Sequence, residues 1–175
     1  DTLPSARIVS QPHAGYAAAV NHGVSLATGA VLAFIDADDR WSPESLDIRL
    51  RRLIDGGADV VVGCTQNFLS PDLHEEEAAS VRLHTRPFRA EVLAAAVVRA
   101  EVFDLVGPLD ENLRTGSVID WVSRARSLDV TFDYLDDTVL LRRIHDSNLS
   151  RSDQSDRNAE LLRIVLAHHA RNRST

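Results

Sequence analysis

Hydrophobic side chains fall along this chain in short blocks whose spacing switches between that of a strand and that of a helix. Residues 7–11 form a brief extended pattern around Ile8 and Val9, and Pro12-His13-Ala14-Gly15 interrupts it. Residues 16–27 are Ala-rich and place Tyr16, Val20, Val24 and Ala27 at helical spacing, with Thr28-Gly29 as the stop. Residues 30–35 are a continuous apolar run, the pattern of a strand covered on both faces, and the run ends in Asp36-Ala37-Asp38-Asp39. Ser42 then reads as an N-cap and Pro43 as the first residue of a helix whose buried stripe is Leu46, Leu50, Leu53 and Ile54. Gly56-Gly57 closes that helix, and 58–64 is a second buried strand. Strand, helix, strand, helix, strand at this spacing predicts an α/β fold.

The second half is less regular. Residues 70–80 carry Pro71 and the acidic run Glu75-Glu76-Glu77, read as a solvated loop or helix face. Residues 88–106 fit one Ala-rich helix, and equally fit a strand near 93–98 followed by a helix near 100–106; periodicity does not choose. Val118, Trp121, Val122, Ala125 and Leu128 share one face of a helix over 118–128. Residues 131–134 and 139–144 read as two strands separated by Asp136-Asp137. A last amphipathic helix over 154–171 carries Leu161, Leu162, Val165 and Leu166.

Composition narrows the class. The 175 residues suit one domain, taken as 1–150, with 151–175 as a C-terminal amphipathic helix packed on it. With 44% hydrophobic residues the chain can bury a core. Its net charge of −7 argues against non-specific nucleic-acid binding and says little about small anionic ligands. Single Cys64 excludes an intrachain disulfide framework and a Cys-rich zinc site. No apolar run approaches the ~20 residues of a membrane span. All 19 basic residues are Arg, and the composition points to a GC-rich bacterium. There is no Met and the first residue is Asp1, from which we expect that the natural start is missing.

Asp36-Ala37-Asp38-Asp39 is the segment richest in chemistry. Three carboxylates crowd the C-terminal end of an apolar strand, where open α/β sheets place ligands. Like charges this close ionise together only if a cation or solvent offsets them, and hard divalent cations take carboxylate oxygens. An acidic turn that leads into the next helix is the plainer alternative.

The residues around that turn shift the balance between the two. Gln11, Gly15, Ala19, Asn21, Gly23, Ala27 and Gly29, followed by Phe34-Ile35-Asp36-Ala37-Asp38-Asp39-Arg40-Trp41 and Pro43, resemble glycosyltransferase family 2, of the GT-A fold. Val98-Arg99-Ala100-Glu101-Val102-Phe103, Val106-Gly107-Pro108-Leu109-Asp110-Glu111 and Arg142-Arg143 with His145, Asn148 and Ser150 are similar to later family stretches. That similarity favours the strand-plus-helix split of 88–106. Gly116-Ser117-Val118-Ile119-Asp120 stands where the family has Gly-Glu-Asp, with Ile119 in place of Glu; Val20 replaces the usual Arg before Asn21.

The resemblance implies a three-layer α/β/α sandwich with a mostly parallel sheet, from which an N-terminal strand-helix-strand is missing. It implies a metal-dependent, inverting transfer of sugar from a nucleotide-diphosphate sugar to an acceptor hydroxyl. Asp120 would be the base. Asp36, Asn21 and Arg143 would bind the donor, and Asp38, Asp39 and His145 would hold Mn²⁺ or Mg²⁺. The acceptor (polysaccharide, lipid-linked sugar, protein or metabolite) is not identified, nucleic acid is not a partner, and a peripheral-membrane or homo-oligomer contact is left open. A cytoplasmic location is expected, including the cytoplasmic membrane face. The rival reading is a domain that keeps the fold as a binding scaffold without transfer, which Ile119 and Val20 support. A nucleotidyltransferase is a third reading, disfavoured because no Gly-rich phosphate loop is visible. Trp41, Trp121 and the pair His168-His169 read as packing and surface residues.

Overall fold

The computed structural model of the chain describes residues 6–72, 86–145, 158 and 160–166. Helix α1 (Gly15–Leu26) leads to β1 (Val31–Ala33) and the short β2 (Arg40–Trp41). Helix α2 (Ser45–Gly56), β3 (Val60–Leu69) and β4 (Phe88–Arg89) follow. A 3-10 turn (Leu93–Ala95) then enters β5 (Ala96–Arg99), α3 (Ala100–Val106), α4 (Ser117–Ser127) and the long β6 (Phe132–Ile144). The sheet order is β1-β5-β3-β6-β2, with β4 beside β3.

The sheet is mixed, not mostly parallel. Among the described residues only β3 and β6 pair parallel; β1 with β5, β5 with β3, β4 with β3 and β2 with β6 are antiparallel. The reason lies in the connections. The segment between β3 and β5 carries β4 and the 3-10 turn and brings β5 back antiparallel to β3, whereas β3 reaches the parallel β6 through a crossover that contains α3 and α4.

Alternation along the central strands builds two cores. Val60, Val62, Ala96 and Val98 face a cluster formed with Ala17 of α1, Phe103 of α3 and Trp121 of α4. Val61 and Val97 face the other way, onto Leu53, Leu46 and Leu50 of α2. Successive strand residues point to opposite faces, so an unbroken apolar run means cover on both sides. Three layers result, and each fully buried valine contributes about 1.5–3 kcal/mol of burial.

Several expected elements shift. Residues 6–14 take no regular structure, and Ile8 is 85% exposed, because no strand among the described residues pairs with them. Helix α2 begins at Ser45, not Pro43: the Ser42 hydroxyl donates to the Thr138 carbonyl, and Glu44 turns the chain at φ 61°. Its buried stripe is Ser45, Arg49 and Leu53, while Ile54 is exposed. The two expected strands at 131–134 and 139–144 are one strand, β6, which crosses Asp136-Asp137 with a bulge: Val62 pairs with Tyr134 and Cys64 with Thr138. Leu128 lies past the end of α4 and is exposed. In the last helix Ile164 is the buried residue, and Leu162, Val165 and Leu166 are exposed. The acidic run at 75–77, Asn148, Ser150, the 150/151 boundary and His168-His169 lie outside the described residues. Among the described residues no helix is long and apolar enough to cross a membrane.

Candidate active site

Strand β1 ends at Ala33, and the chain then turns sharply before β2. The turn closes where Asp39 N–H donates to the Asp36 carbonyl at 3.1 Å, which gathers all three carboxylates of 36–39. They lie at one end of a cleft of about 730 Å³. Its walls come from α1 (Tyr16, Val20, Val24), from β1 and the segment after it, and from Arg142 of β6.

Each carboxylate has a different setting. Asp38 accepts or shares a proton with His145 Nε2 at 2.7 Å. Burial, the largest single effect, works to raise the Asp38 pKa, but the His145 bond, a backbone hydrogen bond and the nearby His145 and Arg142 together outweigh it and hold the group below the ordinary range. Asp39 Oδ1 accepts the main-chain N–H of Arg143 at 2.9 Å. Burial, with Asp38 and Asp36 adding to it against that N–H, pushes Asp39 up to about 6. Asp36 is raised by burial first and by Asp38 next, with Arg142 pulling the other way. Burial, then Asp36 and Asp39, also raise Tyr16, so its phenol stays protonated at neutral pH and presents a donor in the cleft.

The expected donor residues are distributed differently. Asn21 is not at the acid turn. Its Oδ1 accepts the Leu109 N–H at 2.8 Å, and its Nδ2 donates to the Leu109 carbonyl at 3.0 Å and to Glu111 at 2.9 Å. Its amide holds the loop after α3. The Arg143 guanidinium reaches Ser70 Oγ at 2.6 Å and Asp72 at 3.2 Å. Neighbouring strand residues point to opposite faces, and it is Arg142 that lines the cleft. Sequence reasoning therefore missed Arg142 and Tyr16. The sequence signal went only as far as the pair: in a strand just one of two adjacent Arg can face a given side.

Asp120 lines a second cleft of about 660 Å³ with Asn21, Leu109, Glu111 and Arg124. It is buried on the first turn of α4, and its Oδ2 accepts from Arg124 Nε at 2.8 Å. The other Arg124 nitrogens donate to the carbonyls of Val106 and Pro108. Helix α1 borders both clefts, with Val20 on one and Asn21 on the other.

The expected metal set is only partly assembled. Asp38 and His145 meet, whereas Asp39 is turned to a backbone N–H, and among the described residues no group of three or more His, Cys, Asp or Glu could hold a metal ion by itself. The donor chemistry still fits a hard cation. Magnesium is commonly held by one or two carboxylates with substrate phosphates completing its shell, and the Asp38 charge, which adds to burial in raising Asp36 and Asp39, is charge a cation would offset.

Comparison with known proteins adds a family and a fold. The family model described as "Glycosyl transferase family 2" matches residues 2–107. No curated protein matches the chain by sequence. Among solved structures, the chain is similar to S. aureus TarS 1-349 in complex with UDP-GlcNAc, with a TM-score of 0.67 and 13% identity over 90% of this chain and 48% of that one. The complex of the same protein with UDP gives 0.60 and 14% over 89% and 45%. A further structure of S. aureus TarS gives 0.61 and 16% over 87% and 27%. The chain thus spans about half the length of the TarS 1-349 structures it matches. At these identities the likeness establishes the GT-A type of α/β fold.

Proposed function

Because the chain belongs to glycosyl transferase family 2, we propose that it serves the transfer of a sugar from a nucleoside-diphosphate sugar to an acceptor hydroxyl, with inversion at the anomeric carbon. The observation that carries this reading is the acid turn itself: three carboxylates with Arg142 and a protonated Tyr16 at one end of an apolar-walled cleft. Apolar walls suit a base and a sugar ring, and the charged end suits a diphosphate. One of the similar structures holds UDP-GlcNAc, which makes a uridine nucleotide sugar the first donor to test.

Roles follow from position. Asp36 contacts the donor from the cleft wall, and Arg142 offers a guanidinium to phosphate oxygens. Tyr16 donates its hydroxyl. Asp38 with His145, beside Asp39, would hold Mn²⁺ or Mg²⁺, which when bound supplies Lewis-acid stabilisation of a diphosphate leaving group. Arg143 acts through its main-chain N–H, which orients Asp39. Asp120 takes the acceptor's proton from the second cleft, a role that requires hydrogen-bond reach to the hydroxyl. Asn21 and Arg124 hold that cleft's rim.

Calorimetric titration of the full chain with UDP and UDP-GlcNAc, with and without Mn²⁺, tests the reading. Binding should strengthen with the metal, and Asp38→Asn should weaken metal-dependent binding by about tenfold, or ~1.4 kcal/mol. Absence of metal-dependent binding and of nucleoside diphosphate release with a panel of common nucleotide sugars would refute it. A second reading, a binding domain without transfer, is favoured by the Asp120–Arg124 ion pair in a separate cleft. Tight nucleotide binding with no release of diphosphate under any acceptor would select it.

A further inference from the structure

The turn that feeds α4 is held by a residue far away in the chain. Helix α4 has no capping side chain of its own, so its N-terminus offers unsatisfied N–H groups and a partial positive charge. Glu160 meets that end. Its Oε1 accepts the Arg114 N–H at 2.7 Å. Its Oε2 accepts the N–H groups of Thr115 at 2.9 Å and Gly116 at 3.0 Å, and the Thr115 hydroxyl at 2.8 Å. Successive N–H donors converging on one carboxylate form an anion nest. Burial works to raise the Glu160 pKa, but the donors of Thr115, Arg114 and Gly116 outweigh it and hold the group below its ordinary value.

Packing closes the same contact. Ile164, one helical turn beyond Glu160, is buried. A Cβ on Gly116 would lie 2.7 Å from Ile164 Cδ1 and 3.6 Å from Glu160 Cβ, so the last helix packs directly over this glycine. The Gly116 carbonyl in turn accepts the Asp120 N–H at 2.9 Å. One residue, Gly116, therefore links the two: its N–H meets the Glu160 carboxylate and its carbonyl meets the Asp120 N–H.

We infer that Glu160 is a positioning residue for Asp120: its carboxylate fixes the 114–116 turn, and with it the first turn of α4, from which Asp120 reaches the second cleft. The inference rests on the reading of Asp120 as the base. Arg124 restrains the Asp120 side chain; Glu160 restrains the backbone beneath it.

The test compares the full chain with Glu160→Ala, Glu160→Gln and Asp120→Asn by amide hydrogen exchange and by steady-state kinetics with UDP-GlcNAc. In Glu160→Ala the amides of Thr115, Gly116 and Asp120 should lose protection together. There kcat should fall about tenfold to a hundredfold, while the donor KM stays within about twofold. Glu160→Gln keeps an oxygen for the N–H donors and should recover part of both effects. Unchanged exchange at Asp120 in Glu160→Ala, or a kcat per folded molecule equal to that of the parent, overturns the inference. If Asp120→Asn turns over as the parent does, Asp120 is not the base and the inference falls with that reading. Lost protection at Asp120 in Glu160→Ala would then show that the contact itself is real, which separates the two failures.

Discussion

Asp38 makes both Asp36 and Asp39 harder to ionise, and Asp36 adds to the effect on Asp39, so single contacts set the charge of single residues here and elsewhere in the chain. Asp59 is an instructive case away from the clefts. Its Oδ2 accepts the N–H of Thr131 at 2.8 Å and the Thr131 hydroxyl at 2.7 Å, and its own N–H returns a bond to Thr131 Oγ1 at 3.1 Å. The Thr131 N–H and hydroxyl hold its pKa below the ordinary value against a smaller effect of burial. A carboxyl depressed on folding adds stability above its unfolded pKa of ~3.9, and that stability is lost as pH falls through the folded value. Asp59→Asn should therefore cost about 0.5–1 kcal/mol at pH 7, with solvent screening keeping it small, and the gap to the parent should close in urea melts taken at progressively lower pH, below about pH 4. Sequence alone could select the acid turn, because motif residues at fixed offsets carry it, but brought Asp38 and His145 together only in the ligand set that the family resemblance implied. It could not separate Arg142 from Arg143, since only the pairing register shows which side of β6 faces the cleft. Nor could it show that Asn21 is engaged by a loop 88 positions away.

At the scale of elements, the central pair β3 and β6 rests on a missing side chain. A Cβ on Gly63 would lie 2.4 Å from Val139 Cγ1 and 2.5 Å from Val139 Cγ2. Gly63 stands at the register shift between Val62 and Cys64, and glycine inside a strand often marks a bulge or a close approach. Gly63→Ala should destabilise the fold by about 1–3 kcal/mol through overpacking, as read by the denaturation midpoint. Adding Val139→Ala should return part of that loss, and a Gly63→Ala protein as stable as the parent would contradict the packing. The run 58–64 was legible as a buried strand because burial on both faces leaves a continuous apolar stretch. The unity of β6 was not, because Asp136-Asp137 looks like a break and is instead the bulge that lets the strand continue. Arg49 was equally hidden. It lies in the buried stripe of α2, donates to the Ala96 carbonyl at 3.1 Å, and packs its guanidinium 4.8 Å from the Trp41 ring, so a charged residue occupies a core position. Burial lowers its pKa to about 10, which leaves it charged at neutral pH.

Across the whole molecule, separate helices converge on one loop. Asn21 of α1 grips Leu109, Arg124 of α4 grips the carbonyls of Val106 and Pro108, and Trp121 Nε1 donates to the Gly107 carbonyl at 2.9 Å. Residues that share a partner segment do not act additively. A double-mutant cycle of Asn21→Ala and Arg124→Ala should therefore show a coupling of about 0.5–3 kcal/mol in unfolding free energy. Additive losses would mean that the two helices hold the loop independently. The amino-acid order by itself determined the α/β class, the family, the acid turn and most element types, because local spacing, turn residues and a motif of fixed offsets are properties of neighbouring positions. The tertiary structure alone decided the antiparallel pairings, the residue of the Arg pair that meets the cleft, the separation of Asp120 from the acid turn, and the hold of Glu160 on α4. Each of these depends on contacts between residues distant in sequence, and no local pattern specifies which distant surfaces will bury one another.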